Sequence, residues 1–424
     1  MDVAPRAASR LRHRHGVLAL LCALAVILYV DRVCISLALP RIQEDLRIAP
    51  EHLGWVGVAF SVPYALFEVP SGHLGDRTGP RRVLTRIVAA WSTFTALTGA
   101  AVGLWSLLVT RFLFGAGEAG AWPNASTTVS RWFPARARAA AMGAFGAATQ
   151  VGGALSPLAV IPIQLRFGWR ASFYVFAAVG VVWAAVWYAW FRDSPAEKHG
   201  VRLEELAETA GEPHAPSHGL RWSVATRDGN LWGLTLTWLA CVYCSYFGIF
   251  WLPTFLARAR GFTEADLRWV AVPWIAGMLG NSIGGILSDR LVSRFDRRRG
   301  RRMAAVLAAV TVALAYALIP VLRDKPATLA LFSVVFAGWG AFQANGFATC
   351  IDVGRSHAGT VSAAMNTAGQ LGGAVSTALF GYLAKATGSY EVPIVLMAFV
   401  AALSAIPWWS IDASREMAPA RAGA

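Results

Sequence analysis

Apolar runs of about 20 residues recur from end to end of this chain, and each is long enough to cross a hydrocarbon core of roughly 30 Å as a helix. That recurrence constrains the fold more than any other feature. It predicts an all-α integral membrane protein with twelve spans, at 16–38, 52–72, 83–103, 105–129, 138–163, 169–191, 230–257, 267–288, 303–322, 327–350, 358–386 and 390–411. Only 15% of the residues are charged, against roughly 25% in soluble domains, so lipid is the expected solvent. The length of 424 residues would by itself suggest about three soluble domains. The apolar runs overrule that reading.

The net charge is +14, nearly all of it arginine. On a soluble protein such a balance suggests nucleic acid. Here the arginines sit in short loops between spans, where they set topology; the expected partner is the lipid bilayer, with no nucleic acid. One set of loops holds Arg6, Arg10, Arg12 and Arg14, then Arg77, Arg81, Arg82 and Arg86, then Arg131, Arg136 and Arg138, and seven arginines from Arg290 to Arg302. The alternate loops are poorer in positive charge. Both termini are therefore expected on the cytoplasmic side of a cell inner (plasma) membrane, in a multi-pass chain. Residues 1–15 read as a cytoplasmic tail and not a signal peptide, because Asp31 and Arg32 interrupt the apolar run and no small-residue cleavage site is clear. Residues 412–424 form the second tail. Cys22, Cys34, Cys241, Cys244 and Cys350 all fall inside apolar segments and imply neither a disulfide framework nor a metal site.

The stretch 192–229 is the one long polar segment, with Glu197, Lys198, Glu204, Glu205 and Glu208 among Pro195, Pro213 and Pro216. It reads as a cytoplasmic linker, with a short surface helix within 201–210, between six-helix bundles at 16–191 and 230–411. A repeat crosses it. Gly72-His73-Leu74-Gly75-Asp76-Arg77-Thr78-Gly79-Pro80-Arg81-Arg82 follows span two, and Gly284-Gly285-Ile286-Leu287-Ser288-Asp289-Arg290 follows span eight. Glycine, then aspartate-arginine, then a basic cluster recurs at matching places. Two pseudo-symmetric halves around a central cavity are what a rocking transporter is built from, and Gly72, Asp76, Arg77, Arg81, Asp289 and Arg290 are the expected conformational gate. Gly280 with Gly284, and Gly369 with Gly373, lie one turn apart and are expected to let helices approach closely.

Gly72 to Arg82 resembles the signature loop of the major facilitator superfamily. Tyr29-Val30-Asp31-Arg32, Arg111 with Gly115-Ala116-Gly117-Glu118-Ala119-Gly120 and Pro123, Trp132-Phe133-Pro134, Trp169-Arg170 and Asp193-Ser194-Pro195 are similar to one branch, the anion:cation symporters. That branch includes sugar-acid and hexuronate transporters of bacteria and sialic-acid and vesicular glutamate carriers of animals. The resemblance covers nearly the whole chain. It implies proton-coupling and anion-binding roles at the matched charged positions and a cavity-facing role for Tyr64.

Asp31, Arg32, Arg111 and Glu118 lie within spans, where a charge costs about 2.5–3.5 kcal/mol at the bilayer centre. Together they would cost about 10–14 kcal/mol in lipid on the same scale, so they must pair or face water. Arg111 and Glu118 are two helical turns apart and share a face. Asp31 and Arg32 point about 100° apart, which suggests separate tasks. Arg32 is expected to bind a substrate carboxylate, and Asp31 to turn toward Arg111 and Glu118. Glu118 is the expected main proton carrier and Asp31 the second, with Arg111 between them; an ion-pair network without a transport role is the plain alternative. No other cofactor and no metal are expected.

Further candidates for substrate contact are Tyr64, Gln150, Tyr246, Gln343, Asn345, Asn366 and Gln370, with Asn124 as a further polar residue; for each, helix–helix hydrogen bonding is the competing reading. Glu68 could serve the cytoplasmic gate. The amides suit a sugar acid, hexuronate or similar carboxylate. Tyr246, Trp251 and Trp339 could instead form an aromatic wall for a flat acid. No metal-ligand cluster, nucleophile elbow or phosphate loop appears, so an enzyme is not expected. The function expected is import of a small organic anion by proton symport, in a monomer. The rivals are a proton-driven drug or metabolite exporter, an aromatic-acid:proton symporter, an organophosphate/phosphate exchanger and a transporter-like sensor.

Overall fold

The computed structural model describes residues 13–202, 205, 206, 208, 226–354 and 358–417, apart from the side chains at 69, 76, 135, 136, 139, 358–360 and 363. The Asp76 carboxylate, most of both tails and most of the linker therefore lie outside the described residues.

The described chain is helical, with no strand. In order come α1 (His13–Asp45), α2 (Leu53–Thr78), α3 (Pro80–Gly99), α4 (Leu104–Glu118), α5 (Ala121–Trp132), α6 (Ala135–Phe167) and α7 (Trp169–Trp190). After the linker follow α8 (Gly229–Tyr246), a π-helical turn (Phe247–Trp251), α9 (Leu252–Arg260), α10 (Ala271–Arg294), α11 (Arg297–Leu318), α12 (Lys325–Gly354), α13 (Ala358–Thr387) and α14 (Glu391–Leu403). Among the described residues, 8 helical stretches are long and apolar enough to cross a membrane on length and composition alone.

The packing follows from where apolar side chains sit. On α1, Val17, Leu21, Leu24, Ala25 and Leu28 mark one buried face, and from Leu28 to Leu39 every residue is buried. This helix is enclosed by others through its second half. The outer helices instead expose large apolar residues at helical spacing: Ile275, Leu279, Ile283 and Ile286 on α10, and Leu307, Val310, Leu314 and Leu318 on α11. Apolar stripes of that extent have no place against water; they suit lipid.

Within the first half α1 packs on α6, α2 on α4 and α3 on α7; within the second, α8 packs on α13, α10 on α12, and α11 on α12 and α14. The halves meet where α2 lies on α13 and α6 on α10. The expected close approaches are present. Gly280 and Gly284 pack on the backbones of Ala337 and Ala341, and Gly369 and Gly373 on the rings of Trp238 and Tyr246.

The near end of the molecule is where the described chain begins and ends. There the Glu205 carboxylate accepts from the first free N–H groups of α1, those of Arg14 at 2.8 Å and His13 at 3.2 Å, where a helix start favours negative charge. Arg81 donates to the Tyr188 carbonyl from Nε at 2.9 Å and from Nη2 at 2.6 Å, and its backbone N–H binds Asp193 at 2.8 Å. Arg301 binds Asp289 at 3.0 Å and Asp352 at 2.9 Å. Arg77 and Arg290 are exposed. At the far end three ion pairs join the halves among the described residues: Arg41–Glu264, Arg258–Glu44 at 3.1 Å and Lys385–Glu51 at 2.6 Å.

Candidate functional site

The site is organised by a break. The continuous span expected over 105–129 is in fact two helices, α4 ending at Glu118 and α5 beginning at Ala121. Gly120 between them has φ +94°, a left-handed conformation that only glycine adopts freely. Pro123 falls in the first turn of α5, where its missing N–H goes unnoticed. The Gly120 carbonyl accepts from the Asn124 backbone N–H at 3.1 Å and from its side chain at 2.8 Å, and the same amide reaches the Ser71 carbonyl of α2 at 3.2 Å. Asn124 is thus spent on holding the break. Gly75 makes room for it, since a Cβ there would stand 1.7 Å from Asn124 Oδ1. The signature loop glycines therefore pack against the restarted helix, with Gly72 against Pro123. Glycine followed three residues on by proline is a helix stop-and-start signal, legible in the sequence but not used.

Glu118, fully buried at the end of α4, is bound by Arg32: Nε donates to Oε1 at 2.5 Å, and Nη2 pairs with the same oxygen. The expected partner of Glu118 was Arg111, on the same face of its own helix. Arg111 remains within electrostatic reach of Glu118, but the hydrogen bond comes from Arg32 of α1. The guanidinium of Arg32 lies 4.7 Å from the Tyr64 ring, 5.1 Å from Phe60 and 5.6 Å from Tyr29. Cation–π contact with three rings partly replaces water around it. Arg32, expected to be kept for the substrate carboxylate, forms one buried pair with Glu118.

Arg111 lies over Phe114 at 4.2 Å and Phe60 at 5.4 Å, and its Nε has no hydrogen-bond partner among the described residues. Asp31 is buried, with neither carboxylate oxygen hydrogen-bonded among the described residues. Glu118, Arg111 and the Trp91 indole all lie within electrostatic reach of it. A buried carboxyl with neither oxygen bonded, beside a buried guanidinium with an unbonded Nε, is costly unless another state satisfies them.

The expected substrate residues divide. Tyr64 and Tyr246 both lie within electrostatic reach of Arg32, and the Tyr246 hydroxyl donates to Gln370 Oε1 at 2.5 Å. Gln150 is buried, its Oε1 unbonded among the described residues and beside Gly277 of α10, on the seam between the halves. Asn366 reaches across that seam, donating to both oxygens of Glu68 at 3.0 and 3.1 Å. Others lie elsewhere. Asn345 accepts from Ser288 at 2.6 Å and donates to the Arg301 carbonyl at 3.0 Å, inside the near-end network, because helix packing uses up its amide. Gln343 accepts from Asn281 at 3.3 Å between α10 and α12. The aromatic wall of Tyr246, Trp251 and Trp339 does not form: Trp251 donates to the Thr377 carbonyl at 3.0 Å, and Trp339 lines a cleft with Tyr316 and Phe342 within the second half. Tyr29 and Phe60 take the aromatic role, and the sequence reading missed Phe60. It also missed the π-helical turn that follows Tyr246, a feature that often marks functional sites in helices.

Helices with apolar outer faces around a buried arginine–glutamate pair suit a multi-pass membrane protein. The Major Facilitator Superfamily model matches residues 21–377, and the chain belongs to that family. It is 32% identical to the "Probable sulfoacetate transporter SauU" of Cupriavidus necator, over 96% of this chain and 97% of that one. It is 28% identical to the "Hexuronate transporter" of Bacillus subtilis, over 90% of each chain. A D-galactonate transporter of Escherichia coli is 28% identical over 96% of this chain and 97% of its own. Among solved structures, a bacterial homolog of the human lysosomal transporter Spinster, in an inward-facing and occupied conformation, superposes with a TM-score of 0.76 at 18% identity, covering 95% of this chain and 97% of that chain.

Proposed function

We propose that this transporter crosses the plasma membrane twelve times with both termini in the cytoplasm, and imports a small organic anion with a proton by alternating access. The bundles at 16–191 and 230–411 rock about the Arg32 centre, with 192–229 as the cytoplasmic linker between them. The near end is then cytoplasmic and the far end external.

The observation that carries this reading is the Arg32–Glu118 pair. A buried guanidinium needs an anionic partner. While Glu118 is ionised it fills that place. A proton on Glu118 removes the ionic partner, and a substrate carboxylate can then take the guanidinium as a bidentate acceptor. Proton and anion binding favour each other, and that coupling is reciprocal by linkage. Asp31 is the second titrating group, poised against Arg111. Tyr64 and Tyr246 beside Arg32, Gln370 bonded to Tyr246, and Gln150 and Asn366 on the seam would supply neutral groups that can read hydroxyls. The relatives named for sulfoacetate, hexuronate and galactonate all carry acids with a carboxylate. Two buried arginines fit an exporter of cations poorly.

Thermal-shift measurements on purified protein test the cargo class. Sugar acids, hexuronates, sulfoacetate and benzoates should include at least one stabilising acid. If no acid stabilises and cationic dyes do, the anion reading falls.

A further inference from the structure

At the far end a cleft opens between the halves. Its first-half wall is Leu37 and Arg41 of α1 with Gln164 of α6, and its second-half wall is Phe262, Glu264 and Leu267. Two features make this more than a seam. Gln164, one of the lining residues, is 3% exposed, and its Nε2 has no hydrogen-bond partner among the described residues. A buried amide donor left unbonded calls for an acceptor. Arg41 holds Glu264 through two parallel N–H groups and donates Nη1 to the Gln164 carbonyl. The Glu264 side chain is 45% exposed and that of Arg41 24%, so this pair is reached by water and contributes little net stability. It is replaceable.

We infer that this cleft is a second, external binding site for the transported anion, in which its carboxylate or sulfonate displaces Glu264 from Arg41 and accepts from the Gln164 amide. The apolar side chains of Leu37, Phe262 and Leu267 take the carbon body. Arg41 lies nine residues beyond Arg32 on the same helix, about 13 Å along its axis, so an anion docked there waits on the path to the centre. Docking also removes one of the three far-end ties between the halves. The inference rests on the anion reading above.

Equilibrium binding of radiolabelled sulfoacetate and glucuronate to the full-length protein tests it. Arg32→Gln disables the central site. In that background the wild-type cleft should retain binding, Arg41→Gln should weaken it at least tenfold, and Glu264→Gln should tighten it severalfold by freeing Arg41. The opposite signs are the discriminator, since a mere tie between halves is broken equally by either change. The inference is overturned if Arg32→Gln abolishes all binding, or if Arg41→Gln and Glu264→Gln shift it in the same direction. Should Arg41→Gln fail to fold, Glu264→Gln alone decides, and unchanged or weaker binding overturns the inference. If the wild type binds neither acid, the cargo class proposed above fails and this inference with it; if the wild type binds and Arg41 is irrelevant, only this inference fails.

Discussion

Arg32 and Glu118 are 86 residues apart in sequence and share a hydrogen bond of 2.5 Å in the buried centre of the molecule. In a low-dielectric interior, breaking such a pair by removing one partner is costly, whereas exchanging one anion for another is not. Glu118→Gln mimics the protonated carboxyl permanently. In proteoliposomes this variant should lose proton-driven accumulation while keeping substrate counterflow at a measurable rate. Accumulation that survives would remove Glu118 from the coupling role.

Arg32→Lys keeps the charge but loses the planar fork and its stacking on Tyr64 and Phe60. Anion affinity should fall about 10- to 100-fold, or about 1.4–2.8 kcal/mol. Binding titrations with the stabilising acid read this directly. An unchanged affinity would mean that the carboxylate is held by another group.

Gly120→Ala should destabilise the protein. The left-handed backbone costs a non-glycine residue about 1–2 kcal/mol, and the new Cβ would stand 2.1 Å from Ser71 Oγ. The melting temperature should drop, and Ser71→Gly should recover part of the loss while leaving the backbone component. If Ser71→Gly recovers nothing, the contact is not the cause.

Asn345 and Gln370 were alike to the sequence and are not alike in the fold. Asn345→Ala should lower the melting temperature with KM unchanged, because its partners are Ser288 and the Arg301 carbonyl. Gln370→Ala should raise KM severalfold, because it frees the Tyr246 hydroxyl beside Arg32. Transport kinetics for the two variants, side by side, would expose a reversed assignment.

The far end should loosen in acid. Hydrogen bonding to Arg41 holds the Glu264 carboxyl below its ordinary range, and Lys385 does the same for Glu51. A depressed folded value means the stabilisation is fully present above the ordinary carboxylate pKa of about 4.3. It is lost as pH falls through the depressed value. The two ties should therefore weaken as pH drops below about 4, with only a small fall in melting temperature because both pairs are solvent-exposed, and a smaller one in a Glu264→Gln, Glu51→Gln double variant. Equal acid slopes would show that these carboxylates do not carry the effect.

Hydropathy alone determined the class of this protein. Long apolar runs can satisfy their backbones only as helices in lipid, so the membrane fold needed no knowledge of contacts. The same logic singled out Asp31, Arg32, Arg111 and Glu118, since a charge in an apolar run stands out whatever surrounds it. The sequence could not tell which charge meets which. Its grouping of Glu118 with Arg111 and Asp31 left out Arg32, which the fold brings from 86 residues away to hydrogen-bond Glu118, while Arg111 stays within electrostatic reach. Nor could it separate an amide that faces the centre from one spent on packing, as Gln370 and Asn345 illustrate. Those distinctions depend on helix rotation and on neighbours brought from distant parts of the chain, and only the tertiary structure decides them.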